Sequence, residues 1–408
     1  MTFKSLQKIF YGLFFVIILT SNIISKYIGG INSIDETIAI FCLIYIFFHL
    51  NEVIRIKACN KILVLTLIIV CIGLVGNYLF NLQSNSEAIV KDIVAFAKMP
   101  IVACALISRK ENTHLNDDIV FQSVQLVTKV FVIVVGILGI ISLFKNIGMS
   151  WDYRNGIMSY TFLYTHPTFL TYALVVTSVI LIANPNNSKY NFILLLNIFA
   201  LVITMRNKAF AYVAFFIVVV YIIPFFKFKK IKLRYFILPL VVVLIISKNK
   251  ISEYMNYSWS PREALYVNGL DLMKRSFPWG SGFATFASQL SGEYYANTYH
   301  IYNMDWRPGT SMENFVDLGD AGFPYYYACF GIFGFLLFVW LLKIVFSTAL
   351  AFYKGQYRKY VAAVLLISYI IVALPFESVL TNESGVTVMV ILFVYLGAKT
   401  SLVRENGK

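Results

Sequence analysis

The chain has 408 residues, 59% hydrophobic and only 13% charged, with a mean hydropathy of +0.74 and a formal net charge of +14. A soluble domain carries about a quarter charged residues, so the composition excludes an ordinary water-soluble enzyme. Apolar runs recur near 9–28, 34–50, 61–80, 87–107, 119–144, 160–183, 190–204, 207–226, 233–247, 323–347, 358–376 and 384–398. Each approaches the ~20 residues that carry a helix across about 30 Å of hydrocarbon. The expectation is an all-α polytopic membrane protein of about twelve transmembrane helices, a single integral membrane domain over 1–408, with one long extracytoplasmic loop before the tenth span.

Charge orients it. With the N-terminus inside, the inner segments hold roughly nineteen Lys and Arg, among them Arg55, Lys57, Arg109 and "KFKKIKLR" (227–234), against about five in the short outer loops. Both termini are therefore expected in the cytoplasm, and the net charge reads as a topology signal with no nucleic-acid partner implied. The first apolar stretch lacks a small-residue cleavage site, so no cleavable signal is expected. Five cysteines lie in predicted spans or an inner loop, and four scattered histidines have no metal-ligand spacing. No disulfide framework, metal site or cofactor is indicated.

Lys91, Lys98 and Lys129 fall inside predicted spans, where an ionisable group is costly unless paired or in a wet cavity. Lys91 and Lys98, seven apart, share a helix face, which suits either an anionic ligand or structural ion pairing. Further on, "VITMRNKAF" (202–210) places Arg206 and Lys208 in an outward connection of a few residues. Short outer loops avoid such pairs; snorkelling is the bland reading, and an anion site the functional one.

Residues 248–322 form the long outer segment, and loops of that length usually carry function. Within it, "SPREALYVNGLDLMKRSF" (260–277) reads as an amphipathic helix with Ser260 as N-cap, Pro261 at the first helical position and Glu263 completing a capping box. "RSFPWGSGFATF" (275–286) then ends it. That stretch lacks the GxxxxGK[ST] pattern of a nucleotide loop, which leaves a plain turn or part of a phosphate-handling site. Acids gather before the tenth span: Asp305, Glu313, Asp317 and Asp320, with His300 and Arg307 among them. Asp320 and Glu313 approach the membrane boundary and are the candidates for general base.

Four segments in order resemble the O-antigen polymerase and O-antigen ligase superfamily of bacterial membrane glycosyltransferases: "SYTFLYTHPTFLTYALVV" (159–176), "TMRNKAFAYV" (204–213), "REALYVNGLDLMKRSFPWGSGFATF" (262–286) and "YYACFGIFGFLLFVWLL" (326–342). The resemblance implies undecaprenyl-diphosphate-linked oligosaccharides as donor and acceptor, joined by inverting, metal-independent glycosyl transfer at the outer face of the bacterial cytoplasmic membrane. Arg206 and Arg262 would hold the diphosphate, with Arg275 and Lys208 assisting, since guanidinium forks bind phosphate oxygens bidentately. His166, His300, Trp279 and Trp306 are candidate sugar or acceptor contacts; the clustered aromatics fit sugar stacking and an interfacial belt equally. Ligases of the family carry a His-Asn pair about eleven residues before the Gly-x-x-Gly element. Counting back from Gly331 arrives at Asp320, which favours a polymerase over a ligase and Asp320 or Glu313 as base. A chain-length regulator is the partner the resemblance implies. The alternatives are a ligase-type glycan transferase and a lipid-linked oligosaccharide flippase; the internal duplication common in transporters is not evident.

Overall fold

A computed structural model describes residues 3–27, 34–112, 117–154, 156–184, 191–225 and 260–396. The predicted span 233–247, the basic run 227–234 and the start of the long loop, 248–259 with Trp259, lie outside the described residues. The described chain is mostly helical: α1 (Phe3–Tyr27), α2 (Ile34–Phe48), α3 (Leu50–Arg55), α4 (Lys57–Phe80), α5 (Ser86–Asn112), α6 (Asp117–Phe144), α7 (Pro167–Ala183), α8 (Phe192–Ile203) and α9 (Asn207–Ile217) come first. α9 runs on through a π turn, Val218–Ile222, to Phe225. α10 (Pro261–Arg275), α11 (Gln289–Glu293), α12 (Asn297–Ile301), α13 (Gly322–Phe352), α14 (Tyr357–Ala373) and α15 (Glu383–Val390) follow.

Four helices, within α1, α4, α6 and α13, are long and apolar enough to cross a membrane, and α7, α8, α9 and α15 are shorter apolar helices. Large apolar side chains such as Phe41, Phe47, Leu67, Leu126 and Trp340 stand exposed on α2, α4, α6 and α13. An apolar exterior around a packed interior is what lipid as solvent permits, and the protein is a helical membrane protein.

Two local expectations change. The region before α7 is not wholly helical: β1 (Ser150–Arg154) and β2 (Ile157–Tyr160) pair antiparallel, Tyr153 opposite Met158, so the all-α reading gains a small hairpin. The span expected from 160 starts at Pro167, because Pro favours the first helical position and His166 caps it, its Nδ1 accepting from the Thr168 N–H at 3.3 Å. The helix expected at 260–277 forms as α10 with Pro261 at its start, but Ser260 makes no side-chain cap bond, so the capping box is absent.

The centre of the molecule is α4 against α13, with α10 packed on α13. Between them lies the Gly-rich stretch that follows α10. Gly331 breaks α13 with φ +63° and ψ −175°, and the carbonyls of Ala328 and Cys329 accept from the Ser281 and Gly282 N–H groups, both at 2.9 Å. On the other side, Gly73 and Gly76 of α4 make room: a Cβ on Gly76 would lie 2.5 Å from the Gly280 carbonyl oxygen. Asn77 clamps Phe283 from both ends, accepting its N–H at 2.8 Å and donating to its carbonyl at 2.9 Å. Gln83 donates to the Ala284 carbonyl at 3.1 Å, and Asp92 accepts the Ala284 N–H at 2.6 Å. Irregular backbone survives inside a membrane protein only where protein groups satisfy it. Here they do, and Ser281, Gly282 and Phe283 are buried. The glycines of "PWGSGF" therefore serve close backbone packing against α4 and α13.

Candidate functional site

Charged side chains from five elements converge near the ends of α7, α9 and α10. Arg206 caps α9 in the break that follows α8, where Met205 takes φ +54°. The break is held by Thr204, whose hydroxyl accepts from Thr171 of α7 at 3.1 Å. Arg206 is only 8% exposed, and its Nη2 donates to Asp152 Oδ1 of β1 at 3.2 Å. Its buried Nε has no hydrogen-bond partner among the described residues. Asp152 is fixed from the hairpin itself: the Arg154 Nε reaches Oδ2 at 2.5 Å, and the Ser159 hydroxyl bonds Oδ1.

Beside Arg206, the half-buried Lys208 pairs with Glu377 on the turn after α14 and lies 5.9 Å from the Tyr369 ring centre. Arg262, in the first turn of α10, donates from Nη2 to Asp320 Oδ2 at 2.8 Å. A 3-10 turn, Val316–Gly319, delivers Asp317 just ahead of Asp320. The groups share one field. Arg206 feels Arg154, Asp152, Glu377 and Arg262, and Asp317 feels Asp320 and Arg262.

Electrostatics follow from burial and these neighbours. Burial and the Arg154 guanidinium pull Arg206 down to about 10, so it remains a cation at neutral pH. Burial, then Arg206 and Lys208, push His166 down to about 4, leaving a neutral imidazole. Burial works against ionisation of Asp152, but Ser159, Arg154 and Arg206 outweigh it and hold the carboxyl below its usual range. Asp317 moves the other way: burial and the Asp320 carboxylate raise it.

Of the residues singled out in the sequence, the structure brings Arg206, Lys208, Arg262, Asp320 and His166 together. It does not bring Arg275. That residue ends α10, thirteen positions after Arg262, an axial rise of about 20 Å, and it pairs with Asp271 one turn back at 2.6 Å. His300 engages Asp305 at 2.9 Å and the edge of Tyr295. Trp306 is exposed beside the Arg307 guanidinium, Trp279 sits on the buried turn with its ring partly exposed, and Glu313 stands exposed ahead of the 3-10 turn. Lys98 forms a buried ion pair with Asp35, and Lys91 pairs with Glu87 at 2.7 Å and donates to the Tyr294 hydroxyl at 2.8 Å. Ion pairing, rather than a basic stripe, accounts for both lysines.

Asp152, Arg154 and Glu377 were not evident as site residues from sequence. Their signals there are weak: an Asp and an Arg in a short outer loop, and a carboxylate directly after an apolar run. Comparison with protein-family models, with curated proteins and with solved structures finds no match.

Proposed function

We propose that the protein is a polysaccharide polymerase that joins undecaprenyl-diphosphate-linked repeat units at the outer face of the bacterial cytoplasmic membrane. In this reading the chain crosses about twelve times, both termini are cytoplasmic, and the charged cluster faces outward, as the basic inner segments require. The observation that carries it is that Arg206 and Arg262, from segments 56 positions apart, lie close enough to feel each other's charge, with Asp320 paired to Arg262 and Asp317 in the same field.

Arg206 offers an unused buried Nε–H, and two guanidinium forks suit a diphosphate better than point charges do. When the donor diphosphate takes the Arg262 fork, Asp320 loses its partner and accepts the proton of an acceptor sugar hydroxyl. That oxygen attacks the anomeric carbon, the bond to the diphosphate oxygen breaks, and the lipid diphosphate leaves as an anion held by the arginines. One displacement inverts the centre. The neutral His166, whose Nδ1 accepts from Thr168, offers its Nε2–H as a hydrogen-bond donor to sugar without adding charge.

The test is a gel of surface polysaccharide from a deletion strain carrying wild-type protein, Arg262→Ala or nothing. Single repeat units on the outer-face acceptor in the latter two strains support polymerisation. Accumulation of lipid-linked units on the cytoplasmic side would identify a transporter instead.

A further inference from the structure

The cluster has two halves that no single element joins. Arg206 and Asp152 belong to the α8–α9 break and the hairpin; Arg262 and Asp320 belong to α10 and the entry to α13. The turn between α14 and α15 touches both. Its Ser378 donates from N at 3.3 Å and from Oγ at 3.0 Å to the Gly319 carbonyl, next to Asp320. Its Pro375 carbonyl accepts from the Tyr266 hydroxyl at 2.6 Å, and Tyr266 lies one helical turn beyond Arg262 on α10. Gly322 fits so closely beneath it that a Cβ there would lie 2.3 Å from the Leu374 carbonyl oxygen and 2.5 Å from that of Glu377. The remaining tie, to the Arg206 half, is Glu377 with Lys208.

We propose that Glu377 and Lys208 are a positioning pair that sets the spacing between the Arg206 and Arg262 halves of the site. This rests on the polymerase reading, adds to it Glu377, which lies outside the motifs of resemblance, and gives Lys208 a positioning role in place of diphosphate binding. Lys208 is almost fully enclosed, with Glu377 on one side and the Tyr369 ring on another. It acts through Arg206 and the turn, not on the diphosphate. A largely enclosed pair is costlier to break singly than to replace as a pair by neutral side chains, which separates positioning from folding.

The experiment measures elongation of lipid-linked oligosaccharide by the full chain in proteoliposomes, for wild type, Arg206→Ala, Glu377→Gln and the double variant Lys208→Met with Glu377→Gln. The expected result for the double variant is a kcat at least roughly tenfold lower, one power of ten being about 1.4 kcal/mol of barrier, with KM within about threefold and a melting midpoint close to wild type. Wild-type kcat in a folded double variant overturns the positioning role. Raised KM with unchanged kcat overturns it too, because Lys208 would then bind the substrate directly. If Arg206→Ala keeps full activity, the polymerase site itself is wrong and the pair falls with it; if Arg206→Ala is inactive and the double variant is not, only the pair is wrong.

Discussion

Gly280→Ala is the sharpest structural test, because the glycine is enclosed by backbone. Gly280 has φ +82°, and a Cβ there would lie 2.3 Å from the Gly331 nitrogen and 2.5 Å from the Cys329 carbonyl oxygen. The left-handed conformation costs a residue with a Cβ about 1–2 kcal/mol. Overpacking adds about 1–3 kcal/mol, since neither backbone neighbour can rotate away as a side chain could. Moving the turn would also strain the Ser281–Ala328 and Gly282–Cys329 hydrogen bonds, each worth about 1 kcal/mol. Together the loss is about 2–5 kcal/mol, rising to about 4–7 kcal/mol if both hydrogen bonds break. Gly148→Ala isolates the conformational part, because Gly148 has φ +75° and a Cβ there would meet nothing within 4 Å. The assay is the thermal unfolding midpoint of purified protein in detergent. Gly280→Ala should lower it at least twice as far as Gly148→Ala. Equal losses would mean that the turn does not dock against the kinked α13.

Asn77→Ala should destabilise by about 2–4 kcal/mol, because it strips the Phe283 N–H and carbonyl of their partner in a buried place; the same midpoint measures it. Arg262→Lys should cut elongation by roughly tenfold or more while leaving expression unchanged, since an ammonium does not reproduce the guanidinium fork. Arg275→Ala should leave elongation within about twofold, because that guanidinium lies at the far end of α10. His166 titrates in the folded protein near 4, below its usual 6.5. The unfolded chain therefore binds the extra proton between those values, and stability is full above about pH 6.5 and declines as the pH falls toward 4. His166→Gln should flatten part of that decline in midpoints measured at pH 7.5 and pH 5.

The membrane class was legible in composition, and helices overlie the predicted spans within the described residues because long apolar runs leave the backbone no other way to satisfy itself. Arg206 stood out in the sequence because short outer turns seldom hold two cations, whereas Arg262 stood out only through the resemblance. Their partners were harder to see. Asp152 reaches Arg206 only because a hairpin folds Ser159 and Arg154 around it, and a register set by four or five residues leaves little trace in sequence. Glu377 meets Lys208 across 169 positions, a pairing fixed by how α14 packs against α7 and α9. Arg275 shows the converse error. Proximity within a motif is not proximity in space, and a straight helix of fifteen residues holds its two ends apart. The "PWGSGF" glycines likewise resemble a ligand cradle, and the contacts that explain them come from α13, some 50 positions later, and from α4, some 200 positions earlier.

The most direct test of the central claim is elongation by the purified full chain in proteoliposomes supplied with a lipid-diphosphate-linked oligosaccharide, read as a ladder on a gel, with Arg206→Ala and Arg262→Ala alongside. The account predicts a ladder and released lipid diphosphate with wild type, and neither with the two variants as folded, membrane-inserted protein. A full ladder from both variants, or none from a folded wild-type protein given its repeat unit, would contradict it.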